Sequence, residues 1–157
     1  MSKFLHTLAI SIAFLITFSS TSAFQMPDID LPEGFSIKVL TDQVPGARSM
    51  ALGDKGTLFV STRRAGKVYA VSGIYSEPEV LTIASGLYMP NGVAFKDGNL
   101  YVAEIHRVHK FEDIENRLNA PKSSIINKSY PTDRHHGWRY ITFGPDGKLY
   151  IPIGAPC

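Results

Sequence analysis

The chain lacks several features that would place it in a common protein class. It has one cysteine, Cys157, among 157 residues, so it cannot form an internal disulfide. Its longest strongly apolar run, residues 8–18, is well short of the roughly 20 residues that a helix needs to cross a bilayer. Charge of one sign is not in excess either, because 16 basic residues face 14 acidic ones, so no nucleic-acid or anionic-membrane partner is predicted. No long stretch has helical periodicity, which argues against an all-helical fold.

The first 23 residues have the organisation of a signal peptide. Lys3 supplies the positive charge, residues 8–18 the apolar core, and residues 19–23 the small side chains that a signal peptidase accepts. A transmembrane anchor is the alternative, but the core is short and no stop-transfer charges follow it. Cleavage after Ala23 therefore predicts a periplasmic or secreted protein without a membrane anchor.

Three segments share one pattern, in which two short strands flank a tight turn that contains Asp and Gly. They are residues 50–60, 93–102 and 141–151, and their equivalent leucines, Leu58, Leu100 and Leu149, are 42 and 49 residues apart. This spacing is typical of four-stranded propeller blades with loop insertions. Chance recurrence of a common hairpin is the alternative, although almost nothing helical lies between the copies. The sequence therefore predicts an all-β fold, a β-propeller.

Local patterns predict individual elements of this fold. Residues 35–40 alternate with period two, as a half-buried strand does. Residues 58–62 and 67–71 form a predicted hairpin, in which Gly66 supplies the positive φ that the turn needs. The best helix candidate is residues 113–118, because its first turn is acidic.

The length of the chain predicts an incomplete ring. After a signal peptide (residues 1–23) and a linker (24–32), residues 33–157 suffice for about three blades. Propellers close with four to eight blades, because an open arc leaves apolar blade faces in water. We therefore expect a partial propeller, about three blades of a longer protein truncated at its C-terminus.

One run of residues carries a family resemblance. Residues 133–150, which read Asp-Arg-His-His-Gly-Trp-Arg and continue to a Gly-Pro-Asp-Gly turn, resemble the quinoprotein glucose/sorbosone dehydrogenases. Residues 31–35, 47–51 and 66–71 are similar to the start of the sorbosone branch. The resemblance implies an exported six-bladed propeller that oxidises an aldose or sorbosone-type sugar with pyrroloquinoline quinone (PQQ) and calcium. It also implies a sugar substrate and an electron acceptor as partners.

The resemblance also implies roles for particular residues. The family's catalytic base is a histidine eight residues before the glycine of the Gly-Pro-Asp turn, which is His136 when counted from Gly144. A neutral imidazole suits that proton transfer near pH 7. His135 is the second candidate, because a shift of the loop by one residue would exchange the two. In an extended backbone their side chains would diverge, so no shared metal site is predicted.

Three residues are candidates for binding the cofactor. Arg48 would lie at the head of the first repeat and could pair with a carboxylate of the quinone. Asn91 lies in another loop that faces the propeller axis, and Trp138 could stack on a quinone or sugar ring. The alternatives are a solvated surface position for Arg48 and a core position for Trp138. His106 and His109 are expected to be surface residues.

Two other functions are consistent with the sequence. Residues 90–95 with 97–98 and 100–104 are also similar to the lactonase propellers, where an Asn helps to hold a metal that activates water. A non-catalytic binding propeller, with incidental histidines, is the other alternative. The family's calcium ligands and most of its quinone contacts would lie in later blades, as would the disulfide partner of Cys157, so the chain by itself is predicted to be inactive.

Overall fold

The computed structural model describes residues 27–154, and these residues form antiparallel β-sheets with a single short 3₁₀ turn. The predicted signal peptide, its predicted cleavage site and Cys157 lie outside the described residues. Among the residues that are described, no helix is long and apolar enough to cross a membrane. Two sheets have four strands in the order of the chain, and a third has two. The strands are β1 (Ala47–Leu52), β2 (Leu58–Thr62), β3 (Val68–Ser72), β4 (Glu79–Ala84), β5 (Gly92–Lys96), β6 (Asn99–Ala103), β7 (Val108–Phe111), β8 (Ser123–Asn127), β9 (Thr142–Phe143) and β10 (Leu149–Tyr150).

The three predicted repeats are the first hairpin of each sheet. β1 pairs with β2, β5 with β6, and β9 with β10, each around an Asp- and Gly-containing turn. The turn between β2 and β3 contains Gly66 at φ 63°, as its role in the hairpin requires. The all-β prediction and the blade organisation are thus confirmed, with two four-stranded blades followed by the inner hairpin of a third sheet. No closed ring is present within residues 27–154.

Each blade buries its faces against the next one. Between the two complete blades, Phe59 stacks on Phe95 with ring centroids 5.8 Å apart. Between the second blade and the third sheet, Tyr101 meets Phe143 edge to face at 5.0 Å. The first core also contains fully buried side chains from both blades, namely Val68, Leu100, Val102 and Ile114. Burial of these apolar faces is what fixes the blades side by side.

Two local predictions were wrong. Residues 35–40 are not a strand, and Phe35 is 72% exposed, because no described strand pairs with this segment and alternation alone cannot supply backbone partners. The predicted helix is only a 3₁₀ turn, Ile114–Asn116. Asp113, at φ 48° and ψ 44°, is left-handed and lies before the turn, and Arg117, at φ −132° and ψ 26°, ends it. The buried side chain of Ile114 fixes the turn against the core instead.

Candidate functional site

The three sheets present one common edge, at which odd-numbered strands begin and even-numbered strands end. We call it the loop face; it consists of residues 47–48, 63–67, 85–91, 104–107 and 128–141. The blades approach one another closely here. A Cβ atom on Gly92 would lie 2.5 Å from the carbonyl oxygen of Arg139, so glycine is needed where β5 meets the segment that enters β9. All five candidate site residues from the sequence lie on this face.

Two of the predicted cofactor residues are in direct contact. Arg48 donates from Nε to Oδ1 of Asn91 at 3.2 Å, although 43 residues separate them. Asn91 is only 6% exposed, and its Nδ2 donates to the carbonyl oxygen of Arg139 at 3.2 Å. The Ser61 hydroxyl donates to the backbone oxygen of Asn91 at 2.6 Å. Asn91 therefore joins the first blade, the second blade and the loop before β9, while the Arg48 side chain stays accessible to a ligand.

Asn91→Leu should test the importance of this junction. The leucine fills a similar volume but leaves the carbonyl of Arg139 and the Nε of Arg48 without their partner, so we expect a loss of about 1–3 kcal/mol in the free energy of unfolding. Asn119→Leu is the matched control, since Asn119 is exposed, and it should change stability by less than about 0.5 kcal/mol. Urea unfolding of the purified protein measures both values. Equal effects of the two substitutions would contradict the role of Asn91.

His135 and His136 lie in a turn of the loop before β9, and their rings are in contact. The ring centroids are 4.3 Å apart at an angle of 72°. The prediction of diverging side chains was wrong, because it assumed an extended backbone, whereas His136 has φ 53° and turns the chain. Within residues 27–154, no group of three His, Cys, Asp or Glu side chains is arranged to hold a metal ion.

The two histidines border a pocket of about 150 Å³. It lies between the loop that precedes β9 and the segment that follows β10. The close approach of these segments leaves no room for a side chain at Gly154, whose Cβ would be 2.5 Å from the carbonyl oxygen of His136. The lining residues are Pro131, Asp133, His135, His136, Gly137, Arg139, Ile153 and Gly154. The predicted base thus faces a concave site large enough for part of a small ligand.

Arg139 is the pocket residue that sequence reasoning missed. Its side chain is 1% exposed, and it donates from Nε to the carbonyl of Ile105 at 3.0 Å and from Nη2 to that of Pro131 at 3.2 Å. Burial lowers the pKa of its guanidinium, while Tyr130, whose ring lies 5.8 Å away, opposes this effect. The only sequence signal was its position next to Trp138, because arginines are usually exposed. Since Asn91 bonds to its carbonyl, Arg139 connects the Arg48–Asn91 pair to the histidine pocket.

Trp138 lies on the surface of the loop face. It is 41% exposed, and the guanidinium carbon of Arg63 lies 3.9 Å from the centre of its ring. Arg63 belongs to the β2–β3 turn of the first blade, so this cation–π contact spans two sheets. The alternative of a core position for Trp138 was therefore wrong. An exposed indole beside an arginine can receive a planar, negatively charged ring.

A buried carboxylate anchors the neighbouring part of the face. Glu104 is 0% exposed, and its Oε1 lies 2.7 Å from Nε of Arg107 and 2.5 Å from Nε2 of His109, while Oε2 accepts the backbone N–H of Tyr88 at 2.7 Å. Burial by itself raises the pKa of Glu104, but these hydrogen bonds outweigh it and bring the pKa to about 2. The prediction that His109 is a surface residue was wrong, because pairing with Glu104 buries it. His106 is half-buried and packs edge to face on Tyr88.

Comparison with known proteins agrees with the fold. No family model matches the sequence. An uncharacterized protein of Borreliella burgdorferi is 22% identical over 93% of this chain and 41% of its own length. A PQQ-bound aldose sugar dehydrogenase from Streptomyces coelicolor is structurally similar, with a TM-score of 0.57 and 16% identity over 73% of this chain. Virginiamycin B lyase from Staphylococcus aureus, in a complex with quinupristin, gives a TM-score of 0.52 and 14% identity over 73% of this chain.

These similarities show the architecture. The chain has the β-propeller fold. It spans about 40% of the length of the dehydrogenase and 36% of that of the lyase. At these identities one fold serves several chemistries, so the reaction has to be inferred from the site.

Proposed function

We propose that the protein is an exported quinoprotein oxidoreductase that oxidises an aldose or sorbosone-type sugar, with His136 as the general base. The contact chain from Arg48 through Asn91 to Arg139 carries this proposal. It joins two residues predicted to bind a quinone to the pocket that contains the predicted base. This arrangement combines residues from two blades and the following loop. A reaction between a cofactor and a substrate needs such a combined site, because both must be bound next to each other.

The described residues fit PQQ, which is a flat ring system with carboxylates. Arg48 is exposed and makes no ion pair with a carboxylate of residues 27–154, so its guanidinium can bind one from the ligand. Trp138 and Arg63 offer a stacking surface. When bound, PQQ would supply the acceptor for the hydride. The described residues do not fit calcium, because they contain no cluster of three His, Cys, Asp or Glu side chains.

His136 would take the proton of the sugar hydroxyl as the C–H hydride leaves. Imidazole is suited to this transfer because its ordinary pKa is close to neutral pH. The left-handed turn at His136 and the close approach of its backbone to Gly154 place His136 at the border of the pocket. Arg139, held by the carbonyls of Ile105 and of Pro131 in its own loop, lines the pocket.

Reconstitution tests the proposal directly. Addition of PQQ and Ca²⁺ to the full-length apoprotein should produce dye reduction that depends on an aldose or on sorbosone, and chelation of the metal before PQQ is added is the control. Hydrolysis of a lactone with a divalent metal, in the absence of PQQ, would instead support the lactonase function. Tight binding of a glycan or peptide with neither activity would support the binding propeller. Either result would reject the oxidoreductase.

A further inference from the structure

The near-neutral net charge of the chain conceals a strong separation of charge. On the loop face, basic residues outnumber acidic ones by eight to two. Of the two acidic residues, Glu104 is buried and already paired with Arg107, which leaves Asp133 alone against seven cations. The basic residues are Arg48, Arg63, Arg64, Lys67, Arg107, Lys128, Arg134 and Arg139. A face of one sign attracts and concentrates ligands of the opposite sign.

Arg139 brings this positive charge into the pocket. No carboxylate among residues 27–154 lies within 4 Å of its guanidinium, and the partners it has are neutral carbonyl oxygens. A buried cation without a counter-ion is costly, and an anionic group that enters beside it offsets that cost. His135 adds a further hydrogen-bonding side chain at the same pocket. The pocket is therefore better suited to a ligand that carries a carboxylate than to a neutral sugar.

We propose that the substrate is an acidic sugar, of the uronic acid class, whose carboxylate binds at Arg139 while a hydroxyl faces His136. The reaction itself depends on the proposed function, whereas the binding of the acidic sugar does not. Arg48 and Arg63 do not line this pocket, so they remain for the carboxylates of the quinone. Asp133 is the opposing charge, and it sets how strongly the anion is preferred.

Binding of D-glucuronate and D-glucose to the full-length, PQQ-free protein tests the inference. By calorimetry at low salt, we expect the Kd for glucuronate to be at least about 10-fold lower than that for glucose, since a charge-assisted contact is worth about 1.5–3 kcal/mol. Raising the salt concentration to about 1 M shortens the range of charge interactions to about 3 Å, and it should narrow this difference while glucose binding stays constant. Equal affinities at low salt would overturn the inference.

Substitutions identify the responsible group. Arg139→Gln should abolish the preference for glucuronate, whereas Arg134→Gln, an exposed arginine of the same loop, should retain most of it. Asp133→Asn should strengthen glucuronate binding a few-fold by removing the like charge. Because Asp133 is exposed, Asp133→Asn should fold, and it tests the anion preference even if Arg139→Gln does not fold. An unchanged preference in Arg139→Gln, or weaker binding in Asp133→Asn, would contradict the inference.

A competition experiment distinguishes the two ligands whose carboxylate could bind at Arg139, the acidic sugar and PQQ. If PQQ displaces glucuronate competitively and Arg139→Gln weakens PQQ binding instead, the pocket holds the quinone and the inference is wrong. If glucuronate binds as expected but PQQ gives no dye reduction, the acidic-sugar site stands and the oxidoreductase proposal fails. If PQQ and glucose give activity but glucuronate binds no more tightly than glucose, the oxidoreductase proposal stands and the acidic-sugar inference fails.

Discussion

His136→Ala should reduce sugar-dependent dye reduction by about 10²–10⁴-fold, the range that a general base contributes. Alanine has no group that can take the hydroxyl proton, and the other possible bases that line the pocket are His135 and Asp133. PQQ binding should be nearly unchanged, because the contacts proposed for the quinone are made by Arg48, Arg63 and Trp138. Steady-state kinetics and a separate PQQ titration of the reconstituted protein measure the two effects.

His135→Ala is the matched control. The two rings touch, so both variants disturb the packing of the pair in a similar way. Only His136→Ala removes the proposed proton acceptor, so its loss of rate should far exceed that of His135→Ala. Full activity in His136→Ala would show that His136 is not the base. A larger loss in His135→Ala would show that His135 is the base and that the family spacing is shifted by one residue.

Glu104→Gln should lower the free energy of unfolding by about 2–4 kcal/mol at neutral pH. The amide keeps the shape of the side chain but carries no charge, and its NH₂ group would face donors of Arg107 and His109. The substitution also weakens the acceptor for Tyr88, which lies three residues before Asn91. We therefore expect a weaker Arg48–Asn91 contact as well, observable as a shifted NMR signal of the Asn91 side-chain amide.

The matched control is Glu112→Gln. Glu112 is exposed and pairs with Lys110 at 3.1 Å, and its loss should cost less than about 1 kcal/mol. Chemical unfolding of both variants against the unchanged protein gives the comparison. Equal costs for the two substitutions would mean that the buried network contributes no more than an ordinary surface ion pair.

The pH dependence of stability provides a second measurement on Glu104. Its pKa is about 2 in the folded protein against an ordinary value of 4.5, so folding favours the charged form. The resulting stabilisation, about 3 kcal/mol, is complete above pH 4.5 and is lost as the pH falls towards 2. The stability difference between the unchanged protein and Glu104→Gln should therefore shrink over this interval. A difference that is constant from pH 5 to pH 2 would contradict the assignment.

The blades could be predicted because their signals are local. Each inner hairpin combines a two-residue alternation with an Asp- and Gly-containing turn, and these depend only on neighbouring residues. The segment at residues 35–40 has the same alternation but no strand beside it in the described part of the chain, and it is exposed. The alternation of apolar and polar residues shows which face of a strand can be buried. Whether the segment forms a strand also depends on whether the fold places another strand beside it.

The candidate site could be predicted only in part, for the same reason. The sequence and its resemblance selected Arg48, Asn91 and the histidines, and blade packing then brought Arg48 and Asn91 into contact. Glu104 and His109 were missed because nothing in a sequence shows that a charged side chain five residues from a histidine will be buried with it. The left-handed turn at His136 was likewise not foreseen, and it reversed the expected divergence from His135.

By itself, the sequence determined the repeat, the all-β class and the residues around the Gly-Pro-Asp-Gly turn, since each depends on residues close together in the chain. Only the tertiary structure decided that Arg139 lines the histidine pocket and that one face contains eight basic residues. The net charge does not show where the charged residues lie on the surface. The burial of a side chain depends on neighbours more than 30 residues away in the chain, such as Ile105 for Arg139. The preference for an anionic ligand is therefore a property of the fold and could not be read from composition.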